Sequence, residues 1–563
     1  MPTSSTREKE IWLQALLKDS PDSLDVEAFL VVLRALADSD EADAPRRADR
    51  WMIELEKLSE TVEQLEPNTT CYQLVVQTWA NAQEEDPRIA IPRAERWLDP
   101  KASCGVDIGA FNAFLDLCTK GRYFKKAKGL VYANAAKAES VLEFMIEQRQ
   151  LRGPLCSISP NTESFNFVIR GWTRCRDSND IVERTVKIIQ QFSHYERDID
   201  PTVRPNAKSY TMLLDAFNAL AKTKVKICRD PSDPTRNGIE ELERMQHIID
   251  SMKASPKSGM YPETHTYNVL LTAWGNMAAL HDSAPYEAEE LLRKMIQFKK
   301  DGKPDMGANM VSYQHVVRAW CLSKHARRID RAIWWLENLW RDAELYNDKS
   351  LIPDNKIYNT LIKACVESGD ARKADGLLED MIARTGKASH FLLKPNSESF
   401  IWVTRGYTEA AKSGNIGALN SAVEKLDRMI QYEKDFDQNI AVPARLYEEV
   451  LKGCSRCAVA YPNALDMAVD VFEKLRASHH NMTCLAYQRL LQTGLMALSR
   501  PQDDETREAF VRELIHECAE AGLVGSPVIR ALSNGPVRYS GYTIEDSRRL
   551  TEECFPEWPL PTS

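Results

Sequence analysis

The sequence predicts an all-α protein, a right-handed superhelical solenoid of about eleven helix-turn-helix repeats. Three observations predict it. First, an aromatic residue recurs at Phe29, Tyr72, Phe111, Phe165, Tyr210, Tyr267, Tyr313, Tyr358, Phe400, Tyr447 and Tyr487, at intervals of 39 to 57 residues. Second, a further anchor stands seven residues after each: Leu36, Trp79, Cys118, Trp172, Phe217, Trp274, Trp320, Cys365, Tyr407, Cys454 and, breaking the pattern, Gly494. Residues seven apart share one helix face, two turns on. Third, units close on Pro followed by Asn or Asp, as at Pro160-Asn161, Pro205-Asn206, Pro353-Asp354 and Pro395-Asn396. Two short helices cannot bury both apolar faces alone, so such units must stack on one another.

Residues 355–396 show the unit most plainly. Tyr358, Leu361, Ile362 and Cys365 make one helical stripe. Ser368-Gly369-Asp370 interrupts it, with Gly369 placed to end a helix and Asp370 to cap the next. Ala374, Leu377, Leu378 and Met381 form the second stripe, and Lys394-Pro395-Asn396 closes the unit.

The rest of the chain follows in order. Residues 1–21 are expected to form an N-terminal cap helix and tail, with the amphipathic run at 7–18. The repeat array is expected over 22–525. Its first unit has a second helix near 46–65. The Tyr72 unit holds an interruption containing Pro87 and Pro92, then a brief helix at 93–98. The Phe111 unit has a long second helix, 123–150. The Tyr210 unit carries an insertion at 222–237 that reads as a loop. Tyr461-Pro462-Asn463 starts a second helix, and the last hairpin runs from Tyr487 to about Gly522. Residues 526–563 are expected as a partly ordered tail, with Pro556, Pro559 and Pro561 opposing helix.

The strings Tyr267-Asn268-Val269-Leu270-Leu271, Tyr358-Asn359-Thr360-Leu361-Ile362 and Phe165-Asn166-Phe167-Val168-Ile169, with the closing pairs above, resemble the pentatricopeptide repeat family, as a P-type array without an appended catalytic domain. The units here are longer than that family's, mostly inside or after the second helix. The resemblance implies binding of single-stranded RNA on a concave face, one base per repeat, read by the residue after the aromatic and the last residue of the unit. Carried over position by position, this pairs Asn112 with Asn161, Asn166 with Asn206, Thr211 with Glu263, Asn268 with Asn309, Gln314 with Asp354 and Asn359 with Asn396. Gln73 with Asp107 would be an unusual pair, and Leu30, Ile401 and Glu448 do not fit the pattern. The competing reading is that these asparagines simply cap helices. The resemblance further implies a non-catalytic factor in organellar RNA processing, stability or translation, in a mitochondrion or plastid. The opening MPTSSTREKE has neither an apolar signal run nor the Arg-rich, acid-poor composition of a transit peptide, so the start as written points to the cytoplasm.

Register supplies a second candidate. Five residues after the aromatic stand Arg34, Arg170, Arg318, Lys363, Arg405 and Lys452, while Asp116 and Asp215 occupy the same position in other units. This position is four on from the proposed base reader, on the same helix face. A stripe of cations there would hold an RNA phosphate backbone; the alternative is an ordinary solvated face.

Composition bounds the remaining readings. Hydrophobic content of 43% and charge of 28% are those of a globular chain, and no apolar run is long enough to span a membrane. Thirteen cysteines without regular spacing point to a reducing compartment. The net charge of −9 opposes bulk nucleic-acid affinity and favours the other reading kept open, a protein-interaction scaffold. Trp79, Trp172, Trp274 and Trp320 share the register of the core anchors. Cys454-x-x-Cys457 is half a zinc site without a second pair, His479-His480 has no ligand partner nearby in sequence, and Asp503-Asp504-Glu505 begins a helix. No cofactor, metal or small-molecule motif stands out, and no enzyme is expected.

Overall fold

The computed structural model describes residues 5–19, 24–82, 86–98, 106–120, 128–175, 180–227, 238–254, 260–385, 393–413, 415–436, 442–478 and 482–533. Among the described residues there are 24 α-helices and no strands. Helix α1 (Thr6–Asp19) precedes eleven hairpins. Their first helices are α2 (Val26–Ala37), α4 (Thr69–Asn81), α6 (Ile108–Thr119), α8 (Thr162–Thr173), α10 (Ala207–Ile227), α12 (Thr264–Met277), α14 (Met310–Leu322), α16 (Asn355–Glu367), α18 (Ser397–Ala410), α20 (Ala444–Cys457) and α22 (Cys484–Ala497). The second helices are α3 (Ala44–Ser59), α5 (Pro87–Arg96), α7 (Lys128–Arg152), α9 (Ile181–Asp198), α11 (Ile239–Ala254), α13 (Ala284–Lys300), α15 (Arg328–Leu345), α17 (Ala371–Thr385), α19 (Ile416–Phe436), α21 (Ala464–Ala477) and α23 (Asp504–Glu520). Helix α24 (Ser526–Ser533) follows.

The chain divides into two compact units, residues 1–281 with 293–307, and residues 282–292 with 308–563. In the first, α2, α4, α6, α8, α10 and α12 pack side by side in chain order. In the second, α14, α16, α18, α20, α22 and α24 do the same. Within each unit, second helices pack on their own first helix and on the first helix that follows, as α9 does on α8 and α10 and α17 does on α16 and α18. Helical hairpins therefore stack by nearest-neighbour contacts alone, the property that defines a helical repeat array.

The opening aromatics make the seam. Ten of the eleven are buried and Tyr210 is half-buried. Several meet a ring from their own second helix: Phe29 lies 6.2 Å from Trp51, Phe165 stacks on Phe192 at 4.0 Å, and Phe400 lies 6.0 Å from Tyr432. In three units the opener is a tyrosine whose hydroxyl donates to an acid on that helix: Tyr313 to Asp342, Tyr358 to Asp380 Oδ2 at 2.6 Å and Tyr487 to Glu517 at 3.0 Å. Trp79, Trp172 and Trp320 are buried in the core as their register requires, while Trp274 is only half-buried. Gly369, at φ +81°, ends α16, and Asp370 accepts from the Lys373 amide at 3.0 Å to start α17.

A ladder of ion pairs joins successive second helices. In the first unit Asp49 pairs with Arg93 at 3.8 Å, Glu95 with Lys137 at 2.6 Å and Glu139 with Lys187 at 3.0 Å; Glu10 of α1 pairs with Arg47 ahead of them. In the second, Glu289 pairs with Arg331, and Asp330–Lys373, Asp375–Lys425 and Asp427–Lys474 each span 2.8 Å. In each of these rungs the acid lies on the earlier helix, whereas Arg476 of α21 and Glu517 of α23, at 3.0 Å, run the other way. One triplet, a base and an acid flanking a core residue, supplies both directions: Arg47-Ala48-Asp49, Arg93-Ala94-Glu95, Lys137-Ala138-Glu139, Lys373-Ala374-Asp375 and Lys425-Leu426-Asp427. Much of the chain's high charge is thus matched across helices.

Four boundaries differ from the sequence reading. Helix α3 ends at Ser59, and 63–65 is a separate 3-10 turn. Helix α5 starts at Pro87, not 93: a proline in the first turn leaves no internal hydrogen bond unmade, and Pro92 is accommodated within the helix. Helix α10 continues through 222–227, so the insertion begins as helix; its remaining residues, 228–237, lie outside the described residues. The segment expected as a tail begins with α24, packed on α22. His479, His480, Pro556, Pro559 and Pro561 lie outside the described residues.

Candidate functional site

The residues that close each unit are the N-caps of the next first helix. Asn161, Asn309 and Asn396 accept from the amides of Ser164, Ser312 and Ser399 at 3.0, 3.1 and 3.1 Å, and the serine hydroxyls take the cap amides in return. Asn206 and Ser209 repeat the motif, at 3.1 Å. Asp354 accepts from Lys356 and Ile357 at 3.0 and 3.2 Å, and Asp107 from Ala110 at 3.1 Å. The Glu263 amide donates to Thr266 Oγ1 at 3.2 Å. Each reciprocal cap stabilises its helix by about 1 kcal/mol.

The asparagine after the aromatic joins this cap from the preceding hairpin. Asn359 Nδ2 donates to Asn396 Oδ1 at 3.2 Å, and its Oδ1 accepts from Ser399 Oγ at 2.7 Å. Asn112 repeats both contacts, to Asn161 at 3.4 Å and from Ser164 at 2.6 Å. Asn166 accepts from Ser209 Oγ at 2.6 Å, which ties it to Asn206. The structure therefore brings together the members of these three pairs, and a serine mediates each. Thr211 departs from the pattern. Its hydroxyl meets Thr266 Oγ1 at 2.9 Å and its own Ala207 carbonyl at 2.7 Å, rather than Glu263. Asn166, Asn268 and Asn359 are enclosed, at 6%, 7% and 8% exposure, while Asn112 and the closing asparagines are half-buried and Glu263 is exposed. Gln314 is half-buried. Gln73 lies over Gly109, where a Cβ would come within 2.7 Å of its Nε2; glycine makes room for the longer amide.

The residues five after the aromatic fall in different electrostatic settings. Arg34 is exposed on α2. Arg170 is ion-paired to Asp116, the acid of the same register one hairpin earlier, and donates to Thr119 Oγ1 at 2.7 Å. In the second unit four successive first helices carry a cation there. Arg318 stands beside His315, whose imidazole is held down to about 4 by burial and by the Arg318 charge. Lys363 and Arg405 lie over the Trp402 ring at 5.3 and 5.2 Å from its centre. Lys452 meets Glu449 at 3.0 Å and Glu409 at 3.8 Å. Burial would raise the Glu409 carboxyl, but hydrogen bonds from Lys412 and Arg456 outweigh it and hold the group at about 2.

Trp402 is the residue the sequence reading missed. It stands two after the opening aromatic, outside the anchor register, and is half-exposed. The available signal was an aromatic followed three residues on by arginine, as in Phe167-Val168-Ile169-Arg170 and Trp402-Val403-Thr404-Arg405. At the half zinc motif, burial pushes the Cys454 thiol up to about 12 and raises Cys457, against metal ligation. Among the described residues no group of His, Cys, Asp and Glu could hold a metal ion.

Comparison with known proteins bears on this arrangement. Residues 356–385, from the first turn of α16 to the end of α17, match the family model described as PPR repeat. The chain is also 24% identical over 217 residues to a pentatricopeptide repeat-containing protein of Arabidopsis thaliana. That alignment covers 36% of this chain and 34% of the relative, so the chain spans about a third of the relative it matches. The matched repeat, α16 with α17, thus resembles a pentatricopeptide repeat and stands among hairpins that share its aromatic register, its caps and its packing.

Proposed function

We propose that this protein binds single-stranded RNA along the row of first helices, as a non-catalytic RNA-processing, stability or translation factor in an organelle. The observation that carries the reading is the succession Arg318, Lys363, Arg405 and Lys452 on α14, α16, α18 and α20, a line of cations at one register in a chain of net charge −9. Restriction to one register suits a polyanion laid across the helices, and ordinary surface charge has no such constraint. The Asn–Ser–Asn junctions support the reading in a specific way. Each fixes an amide pair at the end of a first helix, with the closing asparagine toward solvent. Because Asn166 and Asn359 are nearly enclosed, base recognition falls mainly to the closing members, Asn161, Asn206 and Asn396, with Asn112, Asn166 and Asn359 orienting them.

A scaffold for protein partners is the second reading. It is favoured by Leu151 and Leu155 in the first unit, at 78% and 98% exposure.

Fluorescence anisotropy with labelled pyrimidine-rich and purine-rich RNA across a salt series tests the first reading, run beside the combined Arg318→Glu, Lys363→Glu and Arg405→Glu variant. Salt-sensitive binding that is lost in the variant is the expected result, with a preference for pyrimidines because Asn–Asn pairs read those bases in the family the repeats resemble. No binding at low salt, or equal binding by the variant, overturns it in favour of the scaffold.

A further inference from the structure

We propose that Trp402, with Lys363 and Arg405, forms a stacking site for one nucleobase of a bound single-stranded RNA; the proposal rests on the RNA-binding reading above. Trp402 differs from the anchor tryptophans Trp79, Trp172 and Trp320, each about 1% exposed. Two positions past Phe400 it lies off the core stripe, and its ring is half-exposed. Its edge is held by Nε1 donating to Glu398 Oε1 one turn earlier, at 3.4 Å. Its π-face is where the cations gather, Lys363 from α16 and Arg405 from its own helix. An electron-rich ring surface draws cations, and a guanidinium on an indole extends the flat surface.

That surface has two chemical uses at once. A nucleobase has a π-face of its own and stacks on an aromatic whatever its sequence, while the lysine and arginine beside it meet the flanking phosphates. Lys363 has one acid neighbour here, Glu367 at 3.8 Å, with both side chains about half exposed. A contact of that kind contributes little and yields readily to a phosphate. The comparable rung in the first unit, Phe167 with Arg170, lacks this freedom because Arg170 is tied to Asp116 and Thr119. The cation over that ring is thus already matched. Trp402 is thus the position on the described first helices where an accessible indole and two weakly tied cations coincide.

The test measures binding of a labelled uridine-rich RNA by the full chain and by Trp402→Ala and Trp402→Phe, with circular dichroism melts as the check on folding. Loss of the stacked base is expected to weaken binding of Trp402→Ala by about 5- to 100-fold, and the phenyl ring of Trp402→Phe to keep it within about threefold. The salt dependence of binding should stay unchanged in both, since no phosphate contact is removed. As a second readout, RNA should quench the tryptophan emission of the parent chain more than that of Trp402→Phe. If the parent binds RNA and Trp402→Ala binds equally well, or if quenching is equal in the parent and Trp402→Phe, the stacking site is overturned while RNA binding stands. If the parent binds no RNA, the RNA-binding reading is overturned and the stacking site falls with it.

Discussion

Asn359 Nδ2 donates to Asn396 Oδ1 at 3.2 Å, linking the first turns of two successive first helices across 37 residues of chain. Ser399 lies between them, its hydroxyl on Asn359 Oδ1 and its amide on Asn396 Oδ1. The junction makes one hairpin's helix start depend on its neighbour's side chain. Removing the Ser399 hydroxyl leaves a buried amide oxygen without its donor, which costs about 1–3 kcal/mol.

Ser399→Ala is accordingly expected to lower stability by about 1–3 kcal/mol, with the effect centred on the start of α18. Hydrogen exchange resolves this. Amides at 397–401 should lose protection in the variant while those of α22 stay as they were. Uniform loss across the second unit would count against a local junction.

Asp49 holds two indoles. Its Oδ1 accepts from Trp79 Nε1 at 2.9 Å and Trp97 Nε1 at 2.8 Å, and both rings are buried. Asp49→Ala strands two buried N–H groups at once and is expected to destabilise the first unit by about 2–4 kcal/mol. Asp49→Asn keeps an acceptor and should lose less. Near-ultraviolet circular dichroism reports both indoles. A variant with the parent's spectrum and melting temperature would refute the linkage.

Much of the fold was legible because its cause is local. A register of seven residues, a glycine at the end of α16 and Asn-x-x-Ser at helix starts are each readable over a few residues, as in Asn161-Thr162-Glu163-Ser164. What was not legible joins distant residues. The triplet Lys373-Ala374-Asp375 is visible in the sequence, but only packing shows that Lys373 serves Asp330 behind it and Asp375 serves Lys425 ahead. The cation register was readable, yet its matching was not: Arg170 and Arg405 each lie over a ring three residues before them, and the difference is the preceding hairpin, which sets Asp116 beside Arg170 and Lys363 over the Trp402 ring. At Asn166 and Asn359 the competing readings, cap or base reader, met in one hydrogen-bonded junction because the capping serine lies between the two asparagines. Pro87 and Pro92 suggest an interruption by type, but Pro87 stands at the first helical position, where its missing N–H is not needed, and Pro92 is held inside α5.

Two glycines should respond to alanine with opposite sign. At Gly406 on α18 a Cβ would stand 2.9 Å from Val366 Cγ2 and 3.3 Å from Ala371 Cβ, so the neighbouring hairpin must give way. Overpacking of this kind costs about 1–3 kcal/mol. Gly376 on α17 is exposed and meets nothing within 4 Å. There alanine only stiffens the helix and should stabilise by about 0.5–1 kcal/mol. Chemical denaturation of Gly406→Ala and Gly376→Ala checks both; shifts of the same sign would show that close helix approach is not what places Gly406.

The Glu409 carboxyl gives the second unit an acid-sensitive joint. It receives Lys412 from its own hairpin and Arg456 from α20 at 2.8 Å, and these partners hold it at about 2 against an ordinary value of 4.5. The folded chain therefore keeps this group ionised where the unfolded chain takes up a proton. Its contribution to stability is complete above about pH 4.5 and disappears as the pH falls toward 2. The side chain is a third exposed, so screening reduces the contribution to roughly 1 kcal/mol or less. Melting of Glu409→Gln across pH 2 to 7 is the check. The variant should melt below the parent at pH 7, the gap should narrow from pH 4.5 downward, and the two should converge near pH 2. A gap that persists unchanged to pH 2 would mean that Glu409 acts through packing rather than through its charge.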